Sequence, residues 1–314
     1  MTPEQNSEST SPPQIPMGPP EGPASLATAI FWNDREFRAG WRLLIYLLFF
    51  VLLDLAETFV LMAVHFPLLA RTGFTATGML VQECVGVIAA LGAATIMGML
   101  EGRPVGVYGL PRAAAFSARF WQGVAWGITM IAAIIVLIRA FHGYSFGELA
   151  LRGPALWGYA VLWGVVFLFV GLLEEFLFRG YALFTLATGL GFWPAATALS
   201  VGFGALHLHN SGEDRIGALS VFVIGMFFCL TLRRTGNLWF AVGMHAAFDW
   251  GETFLFSVPN SGLVAPGHLL ASSFHGPVWL TGGTVGPEGS VMAFGVVALA
   301  AALFVIVYPV KELE

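Results

Sequence analysis

The feature that most constrains this chain is a series of apolar runs, most of them near or beyond the ~20 residues an α-helix needs to cross a hydrocarbon core about 30 Å thick. Eight can be marked, at roughly 41–66, 78–100, 118–140, 157–187, 193–208, 216–233, 237–257 and 289–309; the fourth is long and the fifth short. In lipid a spanning segment must satisfy its own backbone hydrogen bonds. Runs this apolar and this long are therefore helices, since a β-barrel needs alternating segments of about ten residues. The predicted fold class is all-α, a polytopic membrane bundle of about eight transmembrane helices. A chain that is 57% hydrophobic and 11% charged agrees with that class and excludes an ordinary soluble domain.

With so few charges, their placement says more than the net −5. If the N-terminus is cytoplasmic, Arg35, Arg38, Arg42, Arg103, Arg112, Arg119, Arg233, Arg234 and Lys311 lie inside. Arg71, Arg139, Arg152 and Arg215 then lie outside, and Arg179 is intramembrane. Both termini are expected in the cytoplasm of a protein integral to a bacterial plasma membrane. Residues 1–25, rich in Pro and Ser, are expected to be a disordered tail, and 26–314 the bundle. The Gly- and Pro-rich stretch 258–288 is too broken to span and becomes an outside loop. Cys84 and Cys229 both fall in apolar runs and imply no disulfide framework. Small residues in "GVIAALGAATIMG" and "WGVVFLFVG" predict close helix packing.

An ionisable side chain at the middle of a bilayer costs about 2.5–3.5 kcal/mol on insertion scales, so each one calls for a partner, a cavity or a pathway. In the fourth segment, "GLLEEFLFRG", Glu175 and Arg179 are four apart on one helical face and can form an ion pair. Glu174 points about 100° away and finds Leu177 and Phe178 at the corresponding positions, so its partner must come from another helix. Counted from the presumed inner helix ends, Glu174, His207 and Asp249 fall about 20 Å deep and His245 about 12 Å, which permits a single layer. His207 shares a face with Phe203. His209 points away from both, so the two histidines cannot clasp one ion unless the helix ends between them. His245 and Asp249 share a face and can hydrogen-bond. Asp54 and Glu57, Glu83 and Glu252 read as packing or polar-seam residues. His65, His142, His209, His268 and His275 read as solvated imidazoles, without H-E-x-x-H spacing.

Taken together and in order, "EEFLFR", "FGALH" and "HAAFD" resemble the motifs E-E-x-x-x-R, F-x-x-x-H and H-x-x-x-N/D of the CPBP intramembrane proteases. That family contains CAAX-processing endopeptidases and abortive-infection or bacteriocin-immunity proteins. The resemblance covers about residues 155–255, which would be the catalytic core. It implies some eight helices around a hydrophilic cavity, and cleavage of a peptide bond near the cytoplasmic side of the membrane. It also implies roles: Glu174 with His207 would hold and deprotonate the attacking water, His245 and Asp249 would stabilise the oxyanion, and Glu175 with Arg179 would complete the first motif. A carboxylate in a dry pocket is a stronger base than in water, which suits Glu174. An ionised Asp249 accepts hydrogen bonds and cannot donate to an oxyanion, so it is expected either to orient His245 or to be protonated.

The favoured chemistry needs no cofactor, while His207, His245 and a carboxylate would make a three-ligand zinc site with an open position. The expected partners are the bilayer and a membrane-associated peptide or protein substrate, with no nucleic acid. Two other functions compete: a non-enzymatic immunity or scaffold protein that keeps the polar cavity, and a proton-coupled transporter relaying through Glu174 and Asp54. No repeat or half-helix break in the sequence speaks for the transporter.

Overall fold

The computed structural model describes residues 32–33, 36–64 and 75–309. The predicted tail at 1–25, together with Arg35, His65, Arg71 and Lys311, lies outside the described residues. Within residues 1–38, Trp32–Asn33 pairs antiparallel with Glu36–Phe37.

From Ala39 onward the chain is a helical bundle. Its elements are α1 (Ala39–Ala63), α2 (Ala76–Glu101), α3 (Ala118–Ala140), α4 (Gly153–Arg179), α5 (Tyr181–Leu190), α6 (Phe192–His207), α7 (Arg215–Thr235), α8 (Trp239–Trp250) and α9 (Val291–Val307). Local chemistry sets the boundaries. Thr75 Oγ1 accepts from Gly78 N–H at the start of α2, and Gly102 closes it in the left-handed region. Asp214 caps α7 by accepting from the N–H groups of Ile216 and Gly217.

Each of the eight apolar runs is helical where it is described, but among the described residues only five stretches are long and apolar enough to cross a membrane: 39–63, 76–101, 118–140, 153–190 and 215–235. Helices α6 and α8 have 16 and 12 residues, about 24 and 18 Å at 1.5 Å per residue; α8 runs on through a π-helical turn at Gly251–Leu255, and both remain short of a full crossing. The long fourth run is two helices. The chain turns at Gly180, where a Cβ would collide with the Phe176 carbonyl and ring.

Glycine packing holds α8 in the middle of the bundle. A Cβ at Gly123 or Gly127 of α3 would strike the carbonyls of Phe240 or Met244, so α3 lies backbone to backbone against α8. Gly171 of α4 faces Val242 and Ala246 on the other side. The predicted small-residue packing of α2 is present as well, with Ala89, Ala90, Ala93 and Ala94 fully buried. By contrast Leu44, Leu48, Leu52, Leu55 and Phe59 of α1 are exposed, an apolar face suited to lipid.

The two ends of the bundle differ. At one, Arg42 pairs with Glu101 in two hydrogen bonds of 2.9 and 2.8 Å, and Glu101 also accepts from Tyr108 (3.0 Å) and Tyr181 (2.5 Å). Trp239 Nε1 donates there to Pro111, and Arg234 to Tyr308. At the other end the segment 256–290 folds over the helix termini: Asn210 donates to Ser261 O (2.8 Å), Ser261 N–H to Glu288 Oε1 (2.5 Å), and Thr284 to Gly212 O (2.9 Å).

Candidate active site

The adjacent acids of α4 point into different surroundings. Glu175 is fully buried; its Oε1 accepts from Arg179 Nη1 at 3.3 Å and contacts His245 Nδ1 of α8 at 2.9 Å. Arg179 is itself buried, its guanidinium 4.2 Å above the Phe203 ring, and a Cβ at Gly225 of α7 would take the space of its Nη2. Phe228 stacks on the His245 ring at 5.0 Å and 20°. Between the carboxylate and the ring, His245 has one orientation.

That orientation aims Nε2 at two further acids: Glu174 Oε2 lies 3.6 Å away and Asp249 Oδ2 3.5 Å. These are ion-pair contacts rather than short hydrogen bonds. The hydrogen bond that fixes the ring comes from Glu175, whereas i,i+4 spacing alone nominated Asp249. With Nδ1 donating to Glu175, a proton on Nε2 makes the ring an imidazolium facing both carboxylates.

His207 is the last residue of α6. Its Nδ1 is 2.8 Å from Phe203 O of the preceding turn and donates to it, which leaves Nε2 as an acceptor. The helix does end between His207 and His209, yet His209 Nδ1 turns back to Leu206 O. Glu174, His207 and Asp249 line one cavity of about 260 Å³. His207, His245 and Asp249 line a second, apolar one of about 40 Å³ with Phe203, Phe228 and Phe248. All six residues singled out from the three motifs are thus at or directly behind one site.

The structure adds residues that the motifs did not announce. Glu83 of α2 lines the larger cavity opposite Glu174, and its Oε2, like Glu174 Oε2, has no hydrogen-bond partner among the described residues. Asn210, Thr253, Asn260 and Ser261 complete the polar wall, with Asn260 Nδ2 donating to Thr253 Oγ1 at 3.2 Å. An ionisable residue inside a span was the available signal for Glu83; nothing local marked the loop residues. Glu252 is fully buried next to Asp249 and Glu288. Asp54 and Glu57 sit half-buried on α1 and line neither cavity.

Just outside the helices, Glu213 is pushed up to about 7 by burial and by the neighbouring Glu288 carboxylate. Burial raises Glu288 too, against the hydrogen bond from Ser261. Among the described residues no group of three or more His, Cys, Asp or Glu side chains is gathered to hold a metal ion.

No curated protein matches the chain. Residues 155–251, which supply Glu174, Glu175, Arg179, His207, His245 and Asp249, match the family model described as Rce1-like, Type II CAAX prenyl endopeptidase Rce1-like. Over that segment the chain is similar to the CAAX protease family, the same CPBP family that its three motifs resemble.

Proposed function

We propose that the protein is an intramembrane endopeptidase that hydrolyses a peptide bond of a membrane-associated protein or peptide with water activated by Glu174. One observation carries the reading: Glu174, whose Oε2 has no hydrogen-bond partner among the described residues, faces a polar cavity of about 260 Å³ shared with His207 and Asp249, beside a clamped imidazole. Leaving a buried polar group unpaired is costly, and a bound water that the group must activate explains it.

Water held between Glu174 and His207 Nε2 gives its proton to Glu174 as its oxygen attacks the scissile carbonyl. The carbonyl becomes a tetrahedral oxyanion, stabilised by a proton on His245 Nε2 and by an N–H of the Asn260 amide, which reaches the site beside Asp249. Preorganised donors of this kind are worth about 3–4 kcal/mol each in a dry site. Collapse breaks the C–N bond, and Glu174 returns its proton to the leaving amine. Asp249 and Glu175 hold the imidazole charge on both sides. Asn260 supplies the donor that an ionised carboxylate at 249 does not.

The reaction uses no metal in this reading. Elemental analysis of the purified protein with a chelator assay tests that part: stoichiometric zinc whose removal stops turnover refutes it. For the function itself, the wild type and Glu174→Ala are expressed in the native host and the termini of membrane proteins surveyed. New termini dependent on Glu174 are the expected result. Identical termini in both strains refute proteolysis and favour the immunity or scaffold alternative.

A further inference from the structure

We infer that the cavity opens on the extracytoplasmic face of the membrane, so that the peptide it receives is a segment of a membrane or exported protein exposed on that side. The inference deepens the proposed function and rests on it for the substrate, but the facing of the cavity stands on separate observations. It also runs against the cytoplasmic-side cleavage that the family resemblance implies.

The first observation is which end of the bundle the cavity belongs to. Its walls run from Glu83 and Glu174 past Met79 and Trp163, which lie toward the starts of α2 and α4, into Asn210, Asn260 and Ser261 of the connections beyond α6 and α8. Those connections all lie at one end, tied together by Asn210 to Ser261 and Thr284 to Gly212. Toward the other end the way is closed by packed side chains. Tyr46, Phe176, Tyr181, Leu238 and Trp239 form one buried cluster there, and the Arg42–Glu101 pair locks it. A peptide therefore reaches Glu174 from the end that carries 208–214 and 256–290.

The second observation is charge. Arg42, Arg103, Arg112, Arg119, Arg233 and Arg234 belong to the sealed end, at the start of α1, between α2 and α3, and where α7 finishes. The cavity end has Arg139, Arg152 and Arg215. Its connections add the carboxylates of Glu148, Glu213, Asp214 and Glu288. Every described connection is short enough for Lys and Arg bias to set orientation, and the bias puts the sealed end in the cytoplasm. Acidic residues contribute little to orientation, but they do not oppose this one.

The test places single cysteines in the full chain after Cys84→Ala and Cys229→Ser. Val264→Cys lies beside the cavity wall and is 72% exposed; Val107→Cys, 48% exposed, lies in the connection between α2 and α3 at the sealed end. Intact bacterial cells are treated with a membrane-impermeant maleimide, then lysed cells as a control. Labelling of Val264→Cys in intact cells, with Val107→Cys reacting only after lysis, is the expected result. The reverse pattern overturns the inference.

The termini survey separates the two parts. If Val264→Cys labels from outside and the Glu174-dependent termini map to extracytoplasmic segments, the substrate class stands; if they map to cytoplasmic segments, it falls. A survey without Glu174-dependent termini refutes the peptidase reading, while labelling still decides the facing.

Discussion

Arg179→Met tests the ionic clamp behind the active site. In the folded protein Arg179 and Glu175 are 1% and 0% exposed, so the substitution leaves a buried carboxylate facing only His245 Nδ1 at 2.9 Å. Breaking a buried pair by removing one partner costs about 3–5 kcal/mol, because the remaining charge is uncompensated. The contact of the guanidinium over Phe203 at 4.2 Å is lost as well, worth about 2 kcal/mol when desolvated. The imidazole offsets part of this, so a net loss of about 3–5 kcal/mol is expected for the single variant. Glu175→Gln, which strands the cation, should cost a comparable amount. The double variant carries neither charge and should lose less than the sum of the singles by at least ~2 kcal/mol. Reversible unfolding in bicelles or mixed micelles measures all four species. A near-neutral Arg179→Met, or strict additivity in the double variant, would falsify the view that these two charges are a mutually dependent buried pair.

Asp249→Asn should keep cleavage, because an amide there still faces His245. Asn260→Ala should lower kcat about 10²–10³-fold with KM little changed if its amide meets the oxyanion; a peptide assay built on the strongest Glu174-dependent terminus reads both, and a change in KM alone contradicts the assignment. Gly127→Ala drives a methyl into the Met244 carbonyl and should cost about 1–3 kcal/mol and displace His245, whereas Gly202→Ala, with open space around it, should be close to neutral; equal effects in unfolding measurements contradict the packing argument. Glu213 is pushed up to about 7, so the folded connection keeps a proton that the unfolded chain releases near 4.5. The sign follows: this contribution to stability is largest in acid, declines as pH rises through that window and is flat above about 7. Hydrogen exchange across 208–214 should accelerate with that profile after correction for intrinsic rates, and Glu213→Gln should abolish the pH dependence.

The helices were legible because each is a local consequence of apolar run length, and the Glu175–Arg179 pair because i,i+4 geometry lies within one helix. What escaped depends on long-range contact. The run at 157–187 shows no sign of ending at Gly180, because the glycine is required by its fit against the Phe176 carbonyl and ring, and an apolar run continues past it. Glu83 reads as an isolated acid until α2 packs on α4. Asn260 sits in a stretch whose glycines and prolines announce only a loop. Asp249 looked like the orienting partner of His245 since the helix puts them on one face, but Phe228 of α7 and Glu175 of α4 decide how the ring turns.

The doublet itself has a geometric reason. Neighbouring residues on a helix diverge by about 100°, so two consecutive carboxylates cannot share one environment. Here the divergence matches the width of an imidazole: Glu175 meets Nδ1 at 2.9 Å from the protein interior, and Glu174 approaches Nε2 at 3.6 Å from the cavity. One acid is paired with Arg179 and serves as an anchor; the other, whose Oε2 has no hydrogen-bond partner among the described residues, keeps an unused acceptor there. Exchanging their surroundings needs a rotation of α4 that would carry Arg179 out of the space left by Gly225. The ion pair that makes burial of the first acid tolerable therefore also fixes which acid faces water.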